Sequence, residues 1–297
     1  MNSIIGHSAA IGYFRNALRL GRLGHATLLS GPTGIGKHRL ARNVAKALLC
    51  ETGKEAACDR CPTCRLAESG NHPDLHDLAP AEGERHLGIE DVRVLQDVAA
   101  RTGFAGRRRV ILLDPADALT EDAANALLKL LEEPPPHLYL LLITTRPHRL
   151  PATLRSRCQT VRLSRLTTAE VAAILRTETE LPDADASLIL RLAAGSPGTA
   201  LRLARENAPA ALAEVRELLT KGNEKVLAPM REKRKDETLE ERRERVRPLL
   251  DLLLVGMFDG RRSLAAAEAI LLHREWLEEN ANISLLADNL QVMLSNG

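Results

Sequence analysis

Apolar residues follow two alternating spacings through the first half of the chain. Ala9, Ala10, Ile11, Phe14, Leu18 and Leu20 recur at helical intervals, which predicts a helix that ends where Gly21-Arg22-Leu23-Gly24-His25 breaks the run. Leu28 and Leu29 then give an apolar approach to Ser30-Gly31-Pro32-Thr33-Gly34-Ile35-Gly36-Lys37-His38, and from Arg39 to Leu49 the pattern is amphipathic again, with Leu40, Val44, Ala47 and Leu48 apolar. Strand, loop and helix follow one another.

The alternation repeats. Asn71 to Leu78 reads as a loop entering a short strand, and Ile89, Val92, Leu95 and Val98 mark a helix with Glu90 and Asp91 in its first turn, where the helix dipole favours acids. Val110-Ile111-Leu112-Leu113-Asp114 and Leu138 to Thr144 are continuous apolar runs of the kind buried on both faces of a parallel sheet. Between them Thr120 caps a helix reaching Leu131, stopped by Glu132-Glu133-Pro134-Pro135-Pro136. Strand, crossover helix and strand in repetition predict an α/β fold: a parallel sheet with helices on both faces and right-handed crossovers.

After Val161-Arg162-Leu163 the pattern changes. Thr167 and Glu170 form a capping box that opens a helix through Val171, Ile174 and Leu175. Leu188, Leu190 and Leu192 suggest another helix before Gly195-Ser196-Pro197-Gly198, and from Thr199 onward the sequence reads as helical. Arg231 to Arg247 mixes eight basic with six acidic residues, with Glu/Arg pairs at i,i+4 spacing, so a solvated helix is expected there rather than a nucleic-acid-binding tail. Three more amphipathic helices are expected at 249–257, 264–276 and 283–294, with apolar faces that need partners.

Composition narrows the picture. The 297 residues are 44% hydrophobic but only 2% aromatic, so the cores must be built from Leu, Ala, Val and Ile. A net charge of +2 gives no global attraction to nucleic acid; any such contact needs a local patch. No apolar run approaches the roughly 18 residues of a membrane span. Met1 to His7 lacks the charged and apolar regions of a signal peptide, and a cytoplasmic location is expected.

Cys50, Cys58, Cys61 and Cys64 are spaced C-x7-C-x2-C-x2-C. That spacing can bring four thiolates to one tetrahedral Zn²⁺, although the first gap is longer than in most zinc knuckles. Ligand count alone also admits an iron–sulfur cluster, but nothing else in the chain suggests redox chemistry. Four sulfurs leave no open coordination position, so the site, in a polar insertion at about 50–64, is expected to be a structural staple. His72 and His76 are expected to be surface or loop residues rather than further ligands.

Gly31, Gly34, Gly36 and Lys37 fit the phosphate-binding form G-x-x-x-x-G-K-[ST], in which backbone N–H groups and a helix N-terminus cradle phosphate oxygens. His38 stands where that form needs a hydroxyl to ligate Mg²⁺, and imidazole is a poor ligand for so hard a cation. ATP binding is left open by this loop. Asp114 ends its strand where P-loop ATPases hold Mg²⁺, but the next residue is Pro115, which can neither accept a proton nor orient water. Asp117 is a weak substitute for the missing base. Arg155 and Arg157, read from composition alone, are solvated charges.

The glycine-rich loop, the cysteine cluster directly after its helix, the Asp114 strand, Asn125-Ala126-Leu127-Leu128-Lys129-Leu130-Leu131-Glu132-Glu133-Pro134-Pro135 and Ser156-Arg157-Cys158 together resemble the AAA+ subunits of the bacterial replicative clamp loader. The resemblance covers residues 1 to about 205. It implies a P-loop AAA+ domain with a zinc-binding insertion (1–163), a small helical lid (164–206) and an all-α collar that oligomerises (207–297).

Family members are either ATP-hydrolysing motors or stators that have lost their own ATPase. Three departures favour the stator: His38, Pro115, and Gly198, which falls where the motors carry the arginine of the lid-domain sensor. Carried over, Arg157 becomes an arginine finger on the γ-phosphate of an adjacent subunit, while Gly31, Gly34, Gly36, Lys37 and Asp114 form a degenerate nucleotide site. The implied partners are motor subunits of the gamma/tau type, a delta-type subunit, and, through the complex, the sliding clamp and primed DNA. The alternatives are a hydrolysing motor, or a DNA-binding module built on the cysteine cluster and Arg107 to Arg109.

Overall fold

The computed structural model describes residues 4–53, 55–81, 83–100 and 108–205, together with positions 232, 242, 246 and 283. Apart from those single positions, the charged run at 231–247 and the helices expected at 249–257, 264–276 and 283–294 lie outside the described residues. The chain divides into two compact units: Met1–Thr177 with Gly195–Thr199, and Glu178–Ala194 with Ala200–Gly297.

The first unit is built on a five-stranded, wholly parallel sheet. In chain order it comprises α1 (Ser8–Arg19), β1 (Ala26–Ser30), α2 (Lys37–Leu49), α3 (Pro62–Glu68), β2 (Leu75–Leu78), α4 (Ile89–Ala100), β3 (Arg109–Leu113), α5 (Glu121–Glu132), β4 (Leu138–Thr144), α6 (Ala152–Ser156) and β5 (Gln159–Arg162), followed by most of α7 (Thr168–Glu178). The strand order is β2-β3-β4-β1-β5. Its register is set by pairs such as Asp77 with Leu112, Leu112 with Leu141, and Leu28 with both Leu142 and Thr160.

The apolar runs explain this order. Every residue of β1 and β3 is buried, and so is β4 except Tyr139; these are the three inner strands. Ile111, Leu113, Leu138, Leu140 and Leu142 form one core with Val92 and Leu95 of α4, Leu127, Leu130 and Leu131 of α5, and Leu154 of α6. The alternate strand residues Val110, Leu112 and Leu141 face the side on which α2 packs. Each such leucine contributes roughly 1.5–3 kcal/mol on burial.

Two elements escaped the sequence pattern. In β5 only Val161 is buried, so it carries no apolar run. The helix α3 starts inside the cysteine insertion, with Cys61 as its N-cap and Pro62 in its first turn. Thr120 caps α5 through Ala123 N–H at 3.3 Å, and the Thr167–Glu170 capping box opens α7, with Glu170 accepting from Thr167 N–H at 2.8 Å. Strands β2 and β3 are tied at their starts by a buried ion pair, Arg109 Nη2 to Asp74 Oδ1 at 2.9 Å. Arg109 also donates to the Val98 carbonyl on α4.

Among the described residues of the second unit, α8 (Asp183–Ala193) ends at Ala194 in the left-handed conformation, with φ 45°. Ile189 and Ala193 of this helix are buried. The helix α9 (Pro197–Arg205) continues from the segment returned to the first unit, and its Ala200 and Leu203 are also buried.

Candidate functional site

The glycine-rich loop leaves the C-terminal end of β1, an inner strand between β4 and β5, and delivers α2 with Gly36 as its N-cap at φ 95°. Lys37 is buried, and its Nζ folds back to donate to the carbonyls of Gly31 at 2.9 Å and Pro32 at 2.7 Å. Burial pulls its amine below the usual lysine range, an effect partly offset by the carboxylates of Asp114 and Asp117. Gly31, Gly34, Gly36 and Lys37 therefore share one turn of chain, and Asp114 approaches it from β3.

The two positions that would ligate Mg²⁺ in a hydrolysing P-loop engage each other. His38 Nδ1 lies 2.9 Å from Asp114 Oδ2. The hydrogen bond to that carboxylate raises the imidazole pKa above its ordinary value, which favours the imidazolium and an ion pair. Pro115 follows Asp114 through a cis peptide.

Asp117 is engaged elsewhere: Thr144 Oγ1 donates to its Oδ1 at 2.6 Å and Arg146 Nε to its Oδ2 at 3.0 Å. Burial alone would raise the Asp117 carboxyl, but the bonds from Thr144 and Arg146 outweigh it and hold the pKa below the usual carboxylate range. With both oxygens accepting, Asp117 is a structural acid that fixes the end of β4. Nothing in the local sequence announced this trio, whose members are 27 and 29 residues apart.

The segment Gly195–Thr199 closes over the loop. Gly198 N–H donates to Gly34 O at 2.8 Å, and Ser196 Oγ donates to Thr33 O at 3.1 Å. A Cβ on Gly198 would meet the Cα and carbonyl oxygen of Gly34 at 2.9 Å. A side chain at 198 thus cannot coexist with this approach of the two backbones.

Arg157 follows α6 and is exposed. Its Nη1 donates to Thr153 O at 3.0 Å and its Nη2 lies 2.7 Å from Glu132 Oε1, at the end of α5. The neighbouring Leu154 is fully buried in the sheet core. The guanidinium therefore projects from a short helix that is pinned from below.

The Sγ atoms of Cys50, Cys58, Cys61 and Cys64 all lie within 4.8 Å of one another, with Cys58 and Cys64 at 3.9 Å. Sulfurs at the vertices of a tetrahedral zinc site with bonds of about 2.3 Å are about 3.8 Å apart, so the donor set fits that ion. Backbone N–H groups point at the sulfurs: Gly53 and Cys58 at Cys50 (3.2 and 3.4 Å), Cys61 at Cys58 (3.4 Å) and Cys64 at Cys61 (3.4 Å). Hydrogen bonds from the Thr52 hydroxyl and the N–H groups of Arg60 and Cys61 hold the Cys58 thiol down at about 5, whereas burial pushes Cys64 up. Lys46 fastens the insertion to α2, bridging Asp59 at 2.7 Å and Glu68 at 2.6 Å.

His72 is a loop residue, one of the two placements expected for it, though not at the surface. It is buried, and its Nδ1 accepts from Asp74 N–H at 3.0 Å. His76, in β2, is partly buried, and burial lowers its pKa. Neither histidine belongs to the cysteine group. Arg109 lies in the buried pair with Asp74, and Arg108 reaches the Leu48 carbonyl at 3.3 Å and sits 6.0 Å from the Tyr139 ring. These two side chains are thus engaged inside the domain; Arg107 lies outside the described residues.

A parallel sheet in this order, with a glycine-rich loop between the inner strand β1 and the following helix, defines a P-loop domain of the AAA+ class. The same fold occurs in the crystal structure of a DNA polymerase III gamma-subunit-related protein from Thermotoga maritima, with a TM-score of 0.53, 18% identity, and coverage of 95% of this chain and 98% of that one.

The family described as "DNA polymerase III, delta subunit" matches residues 6–167, and the chain belongs to it, as the sequence motifs indicated. The DNA polymerase III subunit delta' of Pseudomonas aeruginosa is 43% identical over 183 residues, covering 60% of this chain and 55% of the relative. The subunit delta' of Escherichia coli is 38% identical over 184 residues, covering 62% and 55%. The E. coli subunit tau is 40% identical over 169 residues, covering 57% of this chain and 26% of tau. The chain thus spans about half the length of the delta' relatives it matches.

Proposed function

We propose that this chain is a delta-prime-type clamp-loader subunit, a stator that does not hydrolyse ATP on its own and lends Arg157 to the nucleotide site of an adjacent motor subunit. One observation carries the reading: His38 Nδ1 on Asp114 Oδ2 at 2.9 Å. A hydrolysing P-loop uses a hydroxyl and a carboxylate to hold Mg²⁺, and a further group to orient the attacking water. Here the hydroxyl position is an imidazole that engages the carboxylate, and Pro115 occupies the position of the water-orienting acid.

A chain without those groups can still supply a permanently charged guanidinium to a neighbour. Arginine fingers of this kind raise rates by about 10³–10⁵ in GTPases. On this reading Gly31, Gly34, Gly36, Lys37 and Asp114 are a degenerate nucleotide site, and Cys50, Cys58, Cys61 and Cys64 hold a structural zinc ion. Residues 164–206 and 207–297 would serve as lid and collar. The partners are gamma/tau-type and delta-type subunits, and the assembled complex loads the sliding clamp onto primed DNA in the cytoplasm.

The test is reconstitution. The purified chain is expected to show no magnesium-dependent ATP turnover. Arg157→Ala is expected to assemble normally with motor subunits while lowering the DNA-stimulated ATPase of the complex. Turnover by the chain alone that Lys37→Ala abolishes would make it a motor instead.

A further inference from the structure

The fork of Arg157 is gripped at two points by its own chain, the Thr153 carbonyl on Nη1 and the Glu132 carboxylate on Nη2. A guanidinium carries five N–H donors in one rigid plane. One donor on each terminal nitrogen is engaged, which fixes the orientation of the plane. Among the described residues no other acceptor takes Nε–H or the second hydrogen on each terminal nitrogen, and a phosphate takes such a fork bidentately.

Folding stability does not account for the pair. The two side chains are 37% and 50% exposed, and ion pairs this open to water add little to stability. What the pair restricts is the freedom of a long side chain, which must otherwise be ordered when it docks. Glu132 is suited to that task because it ends α5, whose Leu127, Leu130 and Leu131 are anchored in the core. Its carboxylate is therefore a fixed point from which to aim a mobile cation.

We propose that Glu132 is a positioning residue for the Arg157 guanidinium, aiming it at the phosphate of a neighbouring subunit's nucleotide. The inference rests on the finger reading of Arg157. It assigns Glu132 an effect on the turnover of the neighbour's site rather than on the fold of its own chain.

The experiment compares Glu132→Ala, Glu132→Gln, Arg157→Ala and the double variant Glu132→Ala/Arg157→Ala in complexes reconstituted with motor subunits. It measures kcat and KM for DNA-stimulated ATP turnover, with assembly checked by gel filtration. Glu132→Ala is expected to remove most of the kcat that Arg157→Ala removes, with KM for ATP unchanged because the neighbour binds the nucleotide. Glu132→Gln, which keeps an acceptor in place, is expected to restore part of it. Adding Glu132→Ala to Arg157→Ala is expected to change nothing further.

If Arg157→Ala lowers kcat but Glu132→Ala leaves it unchanged or raises it, the positioning role is overturned and the finger stands. If Glu132→Ala costs as much in the Arg157→Ala background as alone, its effect is structural and the inference fails. If Arg157→Ala itself leaves kcat intact, the finger reading falls and this inference with it.

Discussion

The N–H of Gly198 donates to the carbonyl of Gly34 at 2.8 Å, so the chain touches its own phosphate-type loop backbone to backbone. Restoring an arginine here by Gly198→Arg should not simply rebuild a sensor. The added Cβ would meet Gly34 at 2.9 Å, and forcing the two strands of chain apart should cost about 1–3 kcal/mol as an overpacking penalty. Gly12 is the control: it lies in α1, is exposed, and has nothing within 4 Å of an added Cβ. Gly12→Ala is expected to stabilise by about 0.5–1 kcal/mol. Thermal unfolding of both variants checks the pair of predictions.

The His38–Asp114 contact predicts a pH dependence. The imidazole is held above its ordinary pKa by its bond to Asp114, so the folded state binds the proton more tightly than the unfolded chain does. Stability from this pair is then fully present below about pH 6.5, the unfolded value, and is lost as pH rises through the higher folded value. Histidine NMR titration should place His38 above about 6.5 and should move it down in Asp114→Asn. A midpoint that ignores Asp114→Asn would refute the pairing.

Arg109→Ala takes the guanidinium away from the Asp74 carboxylate, which is 1% exposed. Breaking one side of so enclosed a pair costs about 3–5 kcal/mol, and urea denaturation should register a shift of that order. Arg93 pairs with Glu90 in the open, their side chains 59% and 75% exposed. Arg93→Ala should cost less than about 1 kcal/mol.

The cysteine cluster should carry about one equivalent of zinc per chain, measured by atomic emission on protein purified without chelator. Cys64→Ser should lose the metal and melt at lower temperature, because the metal's binding energy contributes to folding. Strong chelators should reproduce that destabilisation in the native chain and have no further effect on the variant.

The sheet was readable because β1, β3 and β4 are buried along almost their whole length and so consist of apolar residues without interruption. By contrast, β5 exposes three of its four residues, and a strand recruited by its neighbour's free hydrogen-bonding groups needs no hydrophobic signature. By type, His38 and Pro115 depart in the sequence from the form a hydrolysing loop requires, and Asp114 keeps it. Their contacts were not legible there. His38 and Asp114 are 76 residues apart, and only the parallel register of β1, β4 and β3 brings α2 and the end of β3 together. The bonds of Asp117 to Thr144 and Arg146 likewise became visible only once β4 lay beside β3. Sequence spacing registers neighbours along a helix or strand; it is blind to neighbours across a sheet.

Leu154 is fully buried in the core while Arg157, three residues later, stands in water. One turn of helix is thus a post sunk into the floor of the domain with a charge at its top. The aim of that charge is a property of the whole interior. On the finger reading proposed above, a cavity opened beneath Leu154 would loosen that aim as well as weaken the fold.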